Sequence, residues 1–274
     1  MSKKHTILVA DPPWNFKDSL SMSDVKRGAD ANYGTMTIEQ IKRIPIKDIA
    51  SPDGALLALW VPSSLLQEGL DVMREWGFKH KQTYIWVKSK KQVLNDLGKW
   101  VKKNILKEPQ NTYDKLTYAK AIDSVLKSLS NVNLTNELSF GMGRLFRQTH
   151  EICLIGINNN KIYKHLSNKS QRSVSFGENL KHSAKPEHLQ DSLELMFPNS
   201  SLSKVEIFAR RQKLGWICLG NQCPMTKDED INISLQKLIN ISDENYDSLN
   251  KLLSSYSPGD TLKLSNFWQK LSLK

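Results

Sequence analysis

The 274-residue chain is poor in cysteine, in acidic side chains relative to basic ones, and in long apolar runs. Its three cysteines, Cys153, Cys218 and Cys223, cannot frame a small disulfide-bonded protein, and an odd number of them suits a reducing compartment. Cys153 and Cys218 sit inside apolar, strand-like runs and read as core thiols. Cys218 and Cys223 are too few for a zinc site without histidines beside them, so no metal centre is expected. No stretch approaches the length of a membrane span. The opening Met1-Ser2-Lys3-Lys4-His5 leads into a run too short for the apolar region of a signal peptide. Neither an internal repeat nor a low-complexity tract is visible. These shortages leave a cytoplasmic protein, off the membrane, as the expectation.

What is present points to a globular chain with a charged partner. Hydrophobic residues make up 39% of it, enough for a sizeable core, and the length suits one large α/β domain or one domain with small additions. The formal net charge is +11 and the pI is about 9.4. Such a balance favours a polyanionic partner, with nucleic acid ahead of an anionic membrane surface.

The chain is organised around Asp11-Pro12-Pro13-Trp14. These residues follow Thr6-Ile7-Leu8-Val9-Ala10, which has the composition of a buried strand. The two prolines must end that strand, because neither can donate to a sheet ladder. The expected result is a stiff, acid-bearing corner at the carboxyl end of a strand, where open α/β sheets bind ligands. The chemistry it suits is methylation of an exocyclic amine. The amino nitrogen of adenine has its lone pair delocalised into the ring and is a poor nucleophile. A carboxylate and a backbone carbonyl, each accepting one amine hydrogen, draw it toward tetrahedral geometry and aim the lone pair at an electrophilic methyl group. Trp14 is expected to stack on the base once it leaves its helix.

Along the chain, Asn15 to Asn32 reads as a long polar loop of the kind that often serves as a lid. Tyr33 closes it, and either packs beneath the loop or touches the substrate base. Thr37 reads as the N-cap of a helix through Ile44. Ala55 to Val61 is a second buried strand, Ser64 to Trp76 an amphipathic helix capped by Gly77, and Gln82 to Lys88 a third strand. This rhythm signals parallel, crossover-connected architecture. Lys88 to Asn136 is lysine-rich with helical apolar spacing. It is either a solvated helical excursion or a surface whose lysines, Lys90 and Lys91 among them, neutralise phosphates. His150 and Glu151, before a strand at 152–157, either orient a loop or serve the site. The stretch 158–182 reads as loop-rich, and a helix over Pro186 to Phe197 places Pro186 at its first position. Lys185 then precedes a helix start, where an anionic carboxylate is welcome. Strands are expected at Lys204 to Ala209 and Gly215 to Gly220. From Met225 onward the pattern is helical, and that segment covers the core, binds a partner or touches nucleic acid.

Taken in order, the corner, Tyr33-Gly34-Thr35-Met36, Leu59-Trp60-Val61-Pro62, Trp76-Gly77-Phe78 and Ile85-Trp86-Val87-Lys88 form a recognisable series. Arg147 through His150-Glu151, His182-Ser183-Ala184-Lys185-Pro186, Glu206-Ile207-Phe208-Ala209-Arg210 and Gly215-Trp216 through Gly220-Asn221 continue it. The series resembles the adenine amino-methyltransferases of the MT-A type, over most of residues 5 to 223. The resemblance implies a Rossmann-like α/β methyltransferase with a mostly parallel sheet and permuted motif order. Its methyltransferase domain would span 1–224, with a lysine-rich helical insertion at 89–137, followed by a helical extension at 225–274. It implies S-adenosylmethionine as the donor and the adenine amino group as acceptor, methylated by direct in-line transfer to a flipped-out base. By position, Asp11 and the Pro12 carbonyl would hold the amine within the catalytic corner Asp11, Pro12, Pro13 and Trp14. Asp11, Lys185, Arg210, Gln212, Asn221 and Gln222 would hold the donor, and Trp14, Tyr33, Lys90 and Lys91 the substrate. The sequence departs from the family pattern at His188, Leu180 and Gln212-Lys213, all of which concern the donor's carboxylate. The compact catalytic chain resembles bacterial or phage members, so DNA is the expected substrate, with RNA second. A non-catalytic nucleic-acid-binding subunit of a heteromeric methyltransferase is the other class considered. Pairing with a second copy or a paralogue is implied by the resemblance as well.

Overall fold

A computed structural model of the protein describes residues 4–15, 34–90, 138–141, 145–178 and 185–271. Residues 16–33 with Tyr33, 91–137 with Lys91, 142–144, and 179–184 with Leu180 and His182 lie outside the described residues, and with them nearly all of the predicted loop and insertion. The chain divides into two compact units, one of Met1–Ile85, Glu151–Ser173 and Glu187–Lys274, the other of Trp86–His150 and Val174–Pro186.

The first unit is built on a sheet. Strand β1 (Ile7–Ala10) lies between β2 (Leu56–Val61) and β6 (Lys204–Ile207) and is parallel to both. Strand β7 (Ile217–Leu219) runs parallel to β6 on its far side. On the other side β2 pairs antiparallel with β4 (His150–Ile157), and β3 (Lys79–Ser89) follows it. All residues of β1 and β2 are buried, as expected for strands covered on both faces. The result is a mostly parallel mixed α/β sheet of the Rossmann-like kind.

Helix α1 (Ile38–Lys42) begins as the sequence predicts. The Thr37 side chain accepts from the backbone N–H of Gln40, whose own side chain accepts from the backbone N–H of Thr37. It is shorter than expected because Pro45 interrupts it, and a short helix α2 (Ile46–Ile49) follows. The predicted helix from Ser64 starts as a 3-10 turn, Ser63–Leu65, and becomes α3 at Leu66–Glu75. Gly77 sits just past it with φ of 84° and donates to the Arg74 carbonyl, the conformation a glycine supplies without strain.

Four expectations need correction. The helix placed at Pro186 is α4, His188–Met196, with Glu187 as its N-cap, so the proline precedes the helix and does not open it. The stretch expected to be loop-rich contains a 3-10 segment, Asn160–His165, and strand β5, Val174–Glu178. Strand β6 ends at Ile207 because Phe208 turns into the left-handed region at φ 65°. The run from Gly215 contributes only Ile217–Leu219 to the sheet, since Gly215 itself is at φ 72°.

The 225–274 segment forms helices α5 (Ile231–Asn240), α6 (Asp243–Ser254) and α7 (Thr261–Gln269). Asp230 and Ser242 cap the first two through their side chains. Leu235, Leu238, Leu249, Leu253, Leu264 and Trp268 are buried and form the core of this segment. Helix α5 packs against α2 and β7, and α7 against a 3-10 turn at Pro224–Thr226. Tyr246 of α6 donates to Ser203 Oγ at 2.8 Å, and Ser203 also meets Nδ1 of His5 at 2.6 Å. Burial, helped by Lys4, pushes the His5 imidazole down to about 3, so the ring is neutral at physiological pH. Cys153, Cys218 and Cys223 are all buried and reduced.

In the second unit, the end of β3 lies beside β5, and the Trp86 indole donates to the Gly177 carbonyl at 3.1 Å. Lys88 lies over the Trp86 ring, and Arg147 over the exposed Phe140 ring. Among the described residues no helix is long and apolar enough to cross a membrane.

Candidate functional site

Asp11 stands at the carboxyl end of β1, its N–H donating to the Ile207 carbonyl of the neighbouring strand at 3.2 Å. The prolines after it are clasped from two sides. The Trp14 N–H donates to the Pro12 carbonyl at 2.9 Å, and the Met36 N–H donates to the Pro13 carbonyl at 2.8 Å. Among the described residues the Pro12 oxygen accepts this one backbone bond, and a carbonyl oxygen has a second lone pair. Trp14 differs from its expected role. It is 3% exposed, and its indole N–H donates to the Trp60 carbonyl at 2.9 Å. An indole needs a partner for its N–H when buried, and β2 supplies one. Trp14 anchors the corner to the sheet and offers no open face for stacking.

The opposite wall comes from the ends of β6 and β7. The left-handed turn at Phe208 lets the Ala209 N–H donate back to Leu219 at 2.8 Å. A Cβ on Gly220 would lie 2.2 Å from the Ala209 carbonyl oxygen, so only glycine permits this approach. Thr226 Oγ1 bridges the N–H and C=O of Gly220 at 2.8 and 2.9 Å and fixes the chain as it enters Asn221.

Between the walls is an open cleft of about 680 Å³, counting the solvent at its mouth. Asp11, Pro13, Gly34 and Met36 line one side, and Phe208, Arg210, Asn221 and Gln222 the other. The structure thus brings Asp11, Pro13, Arg210, Asn221 and Gln222 together. Gln212 is not among the lining residues: its amide donates to the carbonyls of Lys213 and Trp216, which makes it a brace of the turn before β7. Lys90 and Lys185 belong to the second unit, Lys90 exposed beyond β3 and Lys185 half-buried ahead of α4. Glu229, Asp230 and Ile231 also line the cleft, and sequence reasoning did not place them there. Asp230 before a periodic apolar run is an N-cap signal; it marks a helix start without saying what that start faces.

Strand β6 carries an unusual carboxyl. Glu206 pairs in register with Val9, two residues before Asp11. Desolvation pushes its pKa up to about 7, opposed by a hydrogen bond from Gln190 and the charge of Arg211, and reinforced by Asp11 and Glu187. Around it, Arg211 pairs with Glu187 at 2.7 Å, and Lys213 meets Asp191 at 2.7 Å and Glu187 at 3.3 Å. An acid whose pKa rises on folding, from 4.5 to about 7, contributes its stabilisation fully below pH 4.5 and loses it as pH climbs through 7. Glu206→Gln is therefore expected to match the wild type in thermal unfolding at pH 4.5 and to exceed it at pH 8.5, by on the order of 2 kcal/mol. Parallel pH profiles for the two proteins would show that this carboxyl does not titrate in that window.

A family model described as MT-A70 matches residues 5–113 and 99–222, most of the chain. The chain belongs to the MT-A70 family. Among curated relatives it is 24% identical over 218 residues to an N(6)-adenosine-methyltransferase MT-A70-like protein of Arabidopsis thaliana, covering 79% of this chain and 23% of that one. It is 24% identical over 221 residues to the human N(6)-adenosine-methyltransferase catalytic subunit METTL3, covering 80% and 28%. It is 21% identical over 242 residues to the Type II methyltransferase M.MunI of a Mycoplasma species, covering 83% and 81%. The chain spans about a quarter of the length of the plant and human relatives. MT-A70 methyltransferases use S-adenosylmethionine, and the cleft suits such a group. Its donor set combines carboxylates, which meet hydroxyls and cations, with a guanidinium and two amides, which meet a carboxylate and the edges of a purine. Among the described residues no group of His, Cys, Asp and Glu is placed to hold a metal ion.

Proposed function

We propose that the protein transfers a methyl group from S-adenosylmethionine to the exocyclic amine of adenine in DNA. The observation that carries the reading is that Asp11 and its rigid corner share one cleft with Arg210, Asn221 and Gln222. The donor supplies a methyl group made electrophilic by the sulfonium it is bound to. Arg210, Asn221 and Gln222 would hold its adenosine, and the family resemblance assigns Lys185 to its carboxylate. Asp11 accepts one hydrogen of the target amine and the free lone pair of the Pro12 carbonyl the other, which turns the nitrogen lone pair toward the methyl carbon. The clasp from Met36 and the anchor at Trp14 keep this corner from relaxing during transfer. Base stacking in this arrangement falls to a residue other than Trp14; Tyr33 remains a candidate, and Lys90 and Lys91 are proposed contacts to phosphate.

Nucleic acid as the substrate is supported by the net charge of +11. The match running across most of a type II methyltransferase favours DNA. The N(6)-adenosine-methyltransferases among the relatives favour RNA as a second reading. Methyl transfer to matched DNA and RNA oligonucleotides separates them: the DNA strand is expected to be the better acceptor by tenfold or more. A preference for RNA would replace the first reading with the second. Absence of donor binding by the isolated chain would instead mark a non-catalytic subunit. Mapping methylated adenines in DNA from cells that express the chain would give the sequence preference in the same experiment. Its assembly as a homodimer, or with a paralogue, is part of the same proposal.

A further inference from the structure

The family match stops at residue 222, yet the cleft wall continues through Glu229, Asp230 and Ile231. We infer that the C-terminal helices α5 and α7 belong to the donor-binding apparatus, with Trp268 of α7 as the positioning residue that fixes this wall through Glu229. The inference rests on the reading of the cleft as the donor site.

The Glu229 carboxylate is held on both oxygens. Lys237 of α5 donates to Oε1, while Oε2 accepts from Ser234 of α5 at 2.6 Å and from the Trp268 indole at 2.8 Å. Both partner helices are buried at these points: Trp268 is 1% exposed and Ser234 wholly enclosed. A carboxylate with charged and neutral donors on both oxygens has little freedom to turn, and its backbone is the segment that enters the cleft. Helix α7 reaches the same wall by a second route. It packs on the turn Pro224–Thr226, whose Thr226 hydroxyl fixes Gly220 immediately before Asn221. The N–H of Asp228 closes the loop by donating to the Asn221 carbonyl at 2.9 Å. One helix at the end of the chain thus holds both ends of the segment that carries Asn221, Gln222, Glu229 and Asp230.

The indole N–H is the part of Trp268 that reaches Glu229, so Trp268→Phe removes the bond and keeps most of the packing. Titration calorimetry with S-adenosylmethionine is expected to show donor binding by the wild type and a five- to tenfold weaker dissociation constant in Trp268→Phe. In turnover assays the donor KM should rise by a similar factor with kcat within about twofold. Leu249→Ala, a buried position of α6, serves as the stability control. It should lower the Tm at least as much while leaving the donor affinity within twofold. Should Trp268→Phe fail to fold, Ser234→Ala removes the other hydrogen bond to the same oxygen and carries the same expectation. Unchanged donor affinity in the folded variant, or an equal loss in Leu249→Ala, would overturn the inference. A wild type that does not bind the donor would overturn the methyltransferase reading and this inference with it.

Discussion

Replacing Asp11 by alanine is expected to lower kcat for methyl transfer by three orders of magnitude or more, with the Tm within a few degrees of the wild type. The size of the effect follows from the chemistry. An aromatic amine gains nucleophilicity only when its hydrogens are held out of the ring plane, and removal of one acceptor leaves the nitrogen flat. The small effect on folding follows from the structure. The backbone bond from Asp11 to Ile207, the Pro13–Met36 clasp and the Trp14–Trp60 bond do not involve the carboxylate. Asp11→Asn should recover part of the rate, because its amide oxygen still accepts one hydrogen but without the charge. Turnover of Asp11→Ala near the wild-type value, in a folded protein that binds the donor, would remove Asp11 from the chemistry.

Much of this architecture was legible because local signals and the fold agree. The prolines of the corner end β1 where the sheet ends, Thr37 caps α1, and Gly77 stops the helix α3. The apolar runs at 7–10, 56–61 and 152–157 became adjacent strands because apolar residues on both faces leave few other places to go. The failures share another cause: a side chain's partner far along the chain. Trp14 reads as a stacking platform until β2 presents the Trp60 carbonyl, 46 residues away. Lys213 stands among the departures that concern the donor's carboxylate, yet it is 12% exposed and bridges Glu187 and Asp191 at the start of α4. Gln212 reads as a donor contact until the Lys213 and Trp216 carbonyls of the turn before β7 take its amide. Strand β5 was missed because its exposure alternates within a polar stretch, where period-2 patterning has little apolar contrast. The part of the cleft formed by 229–231 is set by tertiary bonds to Trp268, which no local pattern announces.

Gly220→Ala is the substitution expected to do the most damage away from the carboxylate. The added methyl would sit 2.2 Å from the Ala209 carbonyl oxygen, 2.7 Å from its nitrogen and 2.9 Å from the Phe208 carbonyl carbon. All three are backbone atoms, so no rotamer change relieves the clash, and the ends of β6 and β7 must separate. That separation breaks the Ala209–Leu219 bond and loosens the Thr226 bridge, which together set Arg210 and Asn221 in one cleft wall. Overpacking against main chain of this kind costs about 3 kcal/mol or more, and the Tm should fall by roughly 5 °C or more. Because the displaced residues are those proposed to hold the donor, its dissociation constant should rise by more than tenfold in the fraction that remains folded. Gly259→Ala provides the contrast: its new methyl would meet only the Ser257 hydroxyl, at 3.7 Å, and stability should change by less than about 1 kcal/mol. Near-wild-type unfolding and donor affinity in Gly220→Ala would mean that the two strand ends yield easily, and that the cleft does not depend on their close approach.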